Sequence, residues 1–392
     1  MSSYDFYAPV RVLFGEGSLK KLHTLEMPGK KALLVISNGK SAKMNGSLAT
    51  TEDELTKAGV SYVIYNGIGA NPLKSAVEEG AKVGRENGAD FVVALGGGSV
   101  MDAAKNIAMF IPQPSDDLWD YTFGPHGGKK VPEKPVLPWI AITTSAGTGS
   151  EADAAGVITN PDTFEKIGVG GFPGMFATYA IVDPKLMKTV PQAYTAYQGF
   201  DALFHSVEGY ISNRHNLIGD MVQRAAIENI GKYLPRAVKD GNDMEARERV
   251  AFANTMSGYS MDVTACTSEH SMEHAMSAYH QHLPHGAGLI MLSREYFSFW
   301  INKHVCDDRF VDMAKFLGKE NATKPEDFIT ALTDLQKACG VDDLKMSDYG
   351  IQKEEAMTLA KNARETMGRL FACDPAETTD EEIAGIYERA YK

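Results

Sequence analysis

The sequence predicts an α/β N-terminal domain on a mostly parallel, Rossmann-like sheet, followed by an all-α C-terminal domain. Three observations predict it. Short Val- and Ile-rich runs alternate with helix-forming stretches through the first half of the chain. Beyond position 190 those runs give way to long helical segments, and at 392 residues the chain exceeds the size at which one hydrophobic core stops growing.

The runs Val10–Phe14, Ala32–Ile36, Tyr62–Tyr65, Phe91–Leu95, Trp139–Thr143 and Tyr179–Val182 have strand length and strand composition. Between them, Thr51–Ala58, Leu73–Asn87 and Val100–Phe110 carry Ala, Glu, Lys and Leu at helical spacing. Strand, helix, strand in succession makes neighbouring strands parallel and places helices on both faces. The turn-rich segment Val182–Pro191 marks a boundary between residues 1–185 and 186–392. Beyond it, helices are predicted over Gln192–Ser212, Gly219–Tyr233, Met244–Ser260, Met272–Tyr279, Glu326–Ala338, Lys353–Leu370 and Glu381–Tyr391.

Net charge is −12, from 39 basic and 51 acidic residues, and the acids are spread rather than blocked. That gives no electrostatic footing on nucleic-acid phosphates or anionic membranes. The longest run without Asp, Glu, Lys or Arg, His274–Ser293, holds His280, His282, Pro284 and His285, so no transmembrane helix is expected. Cys266, Cys306, Cys339 and Cys373 form no C-x-x-C pair, and the first residues show no signal pattern. A reducing, cytoplasmic setting is the expectation.

Phe91–Leu95 runs straight into Gly96-Gly97-Gly98-Ser99 and then a helix carrying Asp102 and Lys105. Glycines there let backbone N–H groups face a pyrophosphate without Cβ interference, at the positive end of the helix. The spacing is not G-x-G-x-x-G, and a tight strand–helix turn would also explain it. A second small-residue loop, Thr143 to Glu151, follows the next strand. Two such loops at the carboxyl ends of parallel strands mark where open α/β sheets bind ligands.

Five of the ten histidines, His270, His274, His280, His282 and His285, fall within sixteen residues. His270 and His274 are four apart on a predicted helix, as are Asp201 and His205 on another, so each pair projects from one face. Taken singly, each is an ordinary polar pair on a helix. Together, a carboxylate and imidazoles suit a borderline divalent ion such as Fe²⁺ or Zn²⁺ and not an oxygen-only cage.

In order along the chain, Phe14–Gly17, Gly96–Lys105, Thr143–Glu151, Gly199–His205, His270–His274 and Pro284–Gly286 resemble the motifs of the iron-dependent (group III) alcohol dehydrogenase family. The resemblance spans essentially the whole sequence. It implies the dehydroquinate-synthase-like architecture: a dinucleotide-binding domain over 1–185, a helical metal-binding and catalytic domain over 186–392, and a divalent metal in the cleft between them. Carried over, the metal ligands are Asp201, His205, His270 and His285. His274 matches an additional cleft histidine beside the nicotinamide, here the candidate proton relay because its ordinary pKa lies near neutrality. Gly97, Gly98 and Ser99 match the pyrophosphate loop, and Asp102, Thr143, Thr144 and Thr148 match positions along the dinucleotide. Lys166 matches a lysine near the ribose and Asn71 a cleft motif. Two departures stand out: the His274-to-His285 spacing is one residue longer than in many relatives, which makes His282 an alternative to His285, and Gly209 sits within a predicted helix.

The segment after Ala32–Ile36, Ser37-Asn38-Gly39-Lys40-Ser41, contains no acid to repel a 2′-phosphate, so NADP is expected to be accepted alongside NAD, with Asn38, Lys40 and Ser41 around that phosphate. The expected activity is a metal-dependent, NAD(P)-linked alcohol dehydrogenase or aldehyde reductase acting on small primary alcohols, diols or their aldehydes. A glycerol-type polyol dehydrogenase, a dehydroquinate-synthase-like lyase, a metallohydrolase built on the same Asp and His residues, and a structural zinc module are the alternatives. The strand at Val10–Phe14 is expected to pair across a subunit interface, in a homodimer or larger homo-oligomer.

Overall fold

The computed structural model describes residues 4–392. Its N-terminal domain carries β1 (Arg11–Phe14), β2 (Lys31–Ser37), α1 (Ser41–Met44), α2 (Ser47–Lys57), β3 (Ser61–Ile68), α3 (Lys74–Glu86), β4 (Phe91–Gly96), α4 (Gly98–Phe110), β5 (Trp139–Thr143), β6 (Ala155–Asn160), β7 (Glu165–Gly170) and β8 (Tyr179–Val182). Six strands form one sheet in the order β1-β8-β5-β4-β2-β3, every neighbouring pair parallel. All six predicted strands are present. β4 and β5 are buried at every residue, which is why they read as unbroken apolar runs and not as alternating ones. In β2, Leu33 and Val35 join the apolar cluster on one face of the sheet, while Ala32, Leu34 and Ile36 join that on the other. Each such side chain contributes about 1.5–3 kcal/mol by leaving water.

β6 and β7 form a separate antiparallel hairpin that the sequence did not announce. Glycines at 156, 168 and 170 and the pair Glu165-Lys166 break its apolar pattern. The hairpin packs against α4 on its own domain and against helices of the other.

The C-terminal domain is helical: α5 (Gln192–Ile211), α6 (Leu217–Lys239), α7 (Met244–Val263), α8 (Ser268–Tyr279), α9 (His285–Asn302), α10 (Asp307–Phe316), α11 (Glu326–Ala338), α12 (Ala356–Phe371) and α13 (Asp380–Ala390). α9 and α10 are additions to the predicted set. α9 is apolar around most of its circumference, with Leu289, Ile290, Leu292, Phe297 and Trp300 all buried, so it shows little helical periodicity. α8 starts at Ser268 and not at Met272 because tertiary groups satisfy its first turn. Glu208 accepts hydrogen bonds from Thr267 N at 2.8 Å and Thr267 Oγ1 at 2.9 Å, and Asp374 accepts from Ser268 N at 2.8 Å. Among the described residues no helix is long and apolar enough to cross a membrane.

Gly209 has a physical reason. A Cβ there would lie 2.4 Å from Gln223 Nε2, 2.6 Å from Ser260 Oγ and 2.7 Å from Thr264 Oγ1, three groups already hydrogen-bonded to one another between α6 and α7. The domains are fastened by a comparable approach. Gly149, at φ +64°, presses its carbonyl against Gly258 of α7, its N–H donates to Asn254 Oδ1 at 2.8 Å, and buried Glu151 accepts from Asn254 and Thr255, each at 2.8 Å. A Cβ on Gly258 would sit 2.3 Å from the Gly149 carbonyl oxygen, a backbone atom that cannot swing aside. Gly258→Ala is therefore expected to destabilise the protein by about 1–3 kcal/mol despite the ~1 kcal/mol gain in helix propensity, read as a lower midpoint in thermal unfolding.

Candidate metal and dinucleotide site

Three helices deliver the polar cluster. α5 brings Asp201 and His205 from successive turns, α8 brings His270 and His274, and His285 is the first residue of α9, directly after Pro284. One oxygen, Asp201 Oδ1, lies 3.3 Å from His205 Nδ1 and 3.5 Å from both His270 Nε2 and His285 Nε2. Buried Asp201 Oδ1, His205 Nδ1 and His270 Nε2 have no hydrogen-bond partner. Separations of about 3.4 Å are the edges of a tetrahedron with ~2.1 Å bonds to a central ion. Three such separations radiate from Asp201 Oδ1, and Asp201, His270 and His285 offer ligand atoms within 4.8 Å of one another; with His205 beside them, one carboxylate and three imidazoles fit a divalent iron or zinc ion. His282 is exposed and outside the cluster, so the longer loop leaves His285 in place.

The histidines are held from behind. Glu208 Oε1 accepts from His270 Nδ1, and Glu273 Oε2 accepts from His285 Nδ1, leaving both Nε2 lone pairs aimed at Asp201. Lys166 Nζ of β7 reaches Glu273 Oε2 at 3.2 Å across the domain boundary. Burial pushes Glu273 up, but His285 and Lys166 draw it down to about 2, so it is a charged acceptor. Burial likewise opposes ionisation of Asp201, yet His205, His285 and the His270 hydrogen bond hold it well below the usual carboxylate range. Burial lowers His205 to about 3. His274 is also held well below its ordinary value, by burial and then by Lys166, His285 and His270, and its buried Nδ1 has no partner. Its imidazole is a neutral acceptor in the cleft, not a group titrating near neutrality.

The glycine turn closes the other side. β4 leads through Gly96 and Gly97 into α4, with none of Gly96, Gly97 and Gly98 at positive φ. They are required by space. A Cβ on Gly97 would meet Ser145 Oγ at 2.7 Å, and one on Gly98 would meet Thr148 Cγ2 at 2.2 Å, so the two small-residue loops interlock into one cradle. Thr144 N donates to Gly96 O at 2.8 Å and Thr143 Oγ1 to Ser145 O at 3.0 Å. Asp102 is buried, raised to about 6 chiefly by desolvation, and accepts from Ser150 Oγ at 2.6 Å and Val157 N at 2.9 Å. It ties α4 to the second loop and to the hairpin.

One cavity of about 460 Å³ joins these parts: Asn71, Ser99, Asp102, Thr148 and Lys166 line it together with His205, His270, His274 and His285. Asn71, at φ +50°, donates to Gln281 O at 3.2 Å from its place before α3. Gly97, Gly98, Thr143 and Thr144 do not line it. Asn38, Lys40 and Ser41 lie outside the cavity, exposed just beyond β2, whose carboxyl end neighbours that of β4. Sequence reasoning did not identify Glu208 and Glu273 as supports. The only local signal was helical spacing: Glu208 is three residues after His205 and Glu273 three after His270, but each holds a histidine from another helix, His270 and His285 in turn. Glu208→Gln is expected to keep the fold while lowering affinity for Zn²⁺ or Fe²⁺ by about 10–100-fold, measured by metal competition with a chromophoric chelator; unchanged affinity would remove Glu208 from this role.

The model of the iron-containing alcohol dehydrogenases matches residues 9–184, and that of the C-terminal part of the same family matches residues 195–391. The chain is 30% identical to the 1,3-propanediol dehydrogenase of Klebsiella pneumoniae over 99% of both chains. It is 31% identical to the NAD-dependent methanol dehydrogenase of Bacillus methanolicus over 98% of this chain and 99% of that one. Among solved structures, an archaeal halo-thermophilic alcohol dehydrogenase from a Red Sea brine pool superposes with a TM-score of 0.93 at 32% identity, covering 100% of this chain and 99% of the other. Matched through both domains, and with the donor set described above, the chain belongs to the iron-containing alcohol dehydrogenase family.

Proposed function

We propose that this alcohol dehydrogenase interconverts small primary alcohols or diols with their aldehydes, using a divalent metal held by Asp201, His205, His270 and His285. The observation that carries this reading is the convergence of three imidazole nitrogens on one carboxylate oxygen, in the cavity that also reaches the glycine turn. When bound, the metal supplies Lewis-acid polarisation of the substrate oxygen and the nicotinamide supplies or accepts the hydride.

The chain's own residues set the rest. Glu208 and Glu273 fix the tautomers of His270 and His285. Lys166 keeps Glu273 ionised, and so keeps the proton on His285 Nδ1 and the lone pair on Nε2. The interlocked loops at Gly97, Gly98, Ser99 and Thr148 receive the pyrophosphate, with Asp102 holding them in register. His274, neutral and with Nδ1 unpartnered, accepts the hydrogen bond of the substrate hydroxyl; burial and Lys166 disfavour its imidazolium, so it relays that proton onward and does not hold it. Asn38, Lys40 and Ser41 surround a 2′-phosphate, so NADPH is accepted. The unpaired edge of β1, beside the exposed Phe14, joins two copies into a homodimer, and light scattering at the mass of one chain would refute that.

Two measurements test the chemistry. His270→Ala should lose metal retention, whereas His274→Ala should keep the metal and slow turnover by about 10²-fold or more; loss of metal in both contradicts the division of roles. With small aldehydes and either reduced nucleotide, kcat/KM for NADPH should equal or exceed that for NADH, and Lys40→Ala should lower the NADPH value by about tenfold with less effect on NADH. A tenfold preference of the unaltered enzyme for NADH refutes the assignment of Asn38, Lys40 and Ser41.

A further inference from the structure

The cavity does not end at the histidines. Beyond His270 it continues past Cys266, and its far wall is completed by Arg214, from the turn between α5 and α6, and by Arg369, Leu370 and Cys373 at the end of α12. Neither guanidinium has a carboxylate, carbonyl or aromatic partner among the described residues. Elsewhere Arg309 is bidentate on Asp220, Arg236 bridges Asp243 and Glu245, Arg364 holds Asp380, and Arg247 donates to Thr195 and two carbonyls. In a chain of net charge −12, two unpaired arginines lining one cavity stand apart.

Their placement is specific. Arg369 Nη2 lies where a side chain at position 168 would be, 2.3 Å from the Cβ that Gly168 lacks, so the hairpin makes room for it at the cavity wall. α12 departs from helical geometry at Met367 (φ −128°, ψ 33°), two residues before it. Arg214, Arg369 and Cys373 line the same cavity, and both arginines are exposed to its solvent. The carboxylates that line the cavity have other partners. Asp153 is paired with Lys105 at 2.5 Å, Asp262 neighbours those two, and Asp102 is bound to Ser150. Asp374, next to Cys373, is turned inward onto Ser268 N at 2.8 Å and Tyr296 Oη at 3.3 Å. No acid described here therefore occupies the arginines.

We propose that Arg214 and Arg369 form an anion subsite at the substrate end of the cavity, so that the preferred substrate is a short aldehyde or primary alcohol bearing a carboxylate, sulfonate or phosphate at its far end. Two guanidinium forks offer paired N–H donors to such a group, in the same cavity as the four histidines. The proposal rests on the dehydrogenase reading above.

The metal-loaded full chain is assayed with succinic semialdehyde and with butanal, which has the same number of carbons and no charge. The expected kcat/KM is at least tenfold higher for succinic semialdehyde, and the ratio falls tenfold or more in Arg214→Gln/Arg369→Gln, mainly through KM. A 3-sulfopropanal arm and a phosphate-ester aldehyde arm tell which anion fits best. A binding arm needs no turnover: succinate titrated calorimetrically into the unaltered protein should bind, and the double variant should bind at least tenfold more weakly. Turnover of butanal with no preference for any of the charged aldehydes overturns the subsite and leaves the dehydrogenase reading standing. Absence of turnover with every aldehyde overturns the dehydrogenase reading, while succinate binding that is equal in both proteins overturns the subsite on its own.

Discussion

Asp201 Oδ1 and the imidazole nitrogens around it are the constraint on which the remaining architecture depends. A buried polar atom without a partner costs about 1–3 kcal/mol, and Asp201, His205 and His270 each present one within a few ångströms of the others. Glu208 and Glu273 take the Nδ1 side of His270 and His285, so it is the Nε2 atoms that face Asp201. A divalent cation satisfies them together. Binding energy of that kind is folding energy for three helices that are otherwise unrelated in sequence, and it adds to the hydrogen bonds from Glu208 and Asp374 that hold the start of α8.

The same economy of contacts joins the domains. The loop from Thr143 to Asp153 belongs to the sheet, yet its backbone lies on α7, and Gly147 is close enough to α5 that a Cβ there would stand 3.1 Å from Asp201 Oδ2. The glycine turn is packed against that loop, so the dinucleotide cradle and the metal donors are referenced to one another through two layers of backbone and not through flexible side chains. The ordering of Gly97, Ser145, Gly147 and Asp201 is rigid for this reason.

The parts of this arrangement that were readable in the sequence are those written in local periodicity. Asp201 with His205 and His270 with His274 announce themselves by helical spacing, the parallel strands by apolar runs, and the phosphate turn by adjacent glycines. What escaped depends on long-range partners. α9 is wrapped in core and carries no amphipathic signature, and the β6–β7 hairpin interleaves glycines with charges that find their counterparts more than a hundred residues away, as Lys166 does in Glu273. The capping of α8 by Glu208 and Asp374 is invisible because neither lies near it in the chain. Arg214 and Arg369 line one cavity for the same reason, from a turn and a helix end that only the fold brings to it. His274 shows the reverse failure: its position was legible, but its proton affinity is set by burial and by Lys166, which composition does not reveal.

The bridge from Lys166 to Glu273 has a dynamic consequence. It is buried at both ends, 4% and 0% exposed, and it is carried by a hairpin of the nucleotide-binding half while its acceptor steadies an imidazole in the other half. Swinging the halves apart would strip an ammonium from its carboxylate before water could fully replace it, which makes hinge opening steep and slackens His285 in the same stroke. Closure of the cavity between the halves and stiffness of the imidazole ring are thus tied through one ion pair, with the hairpin as the lever arm between them.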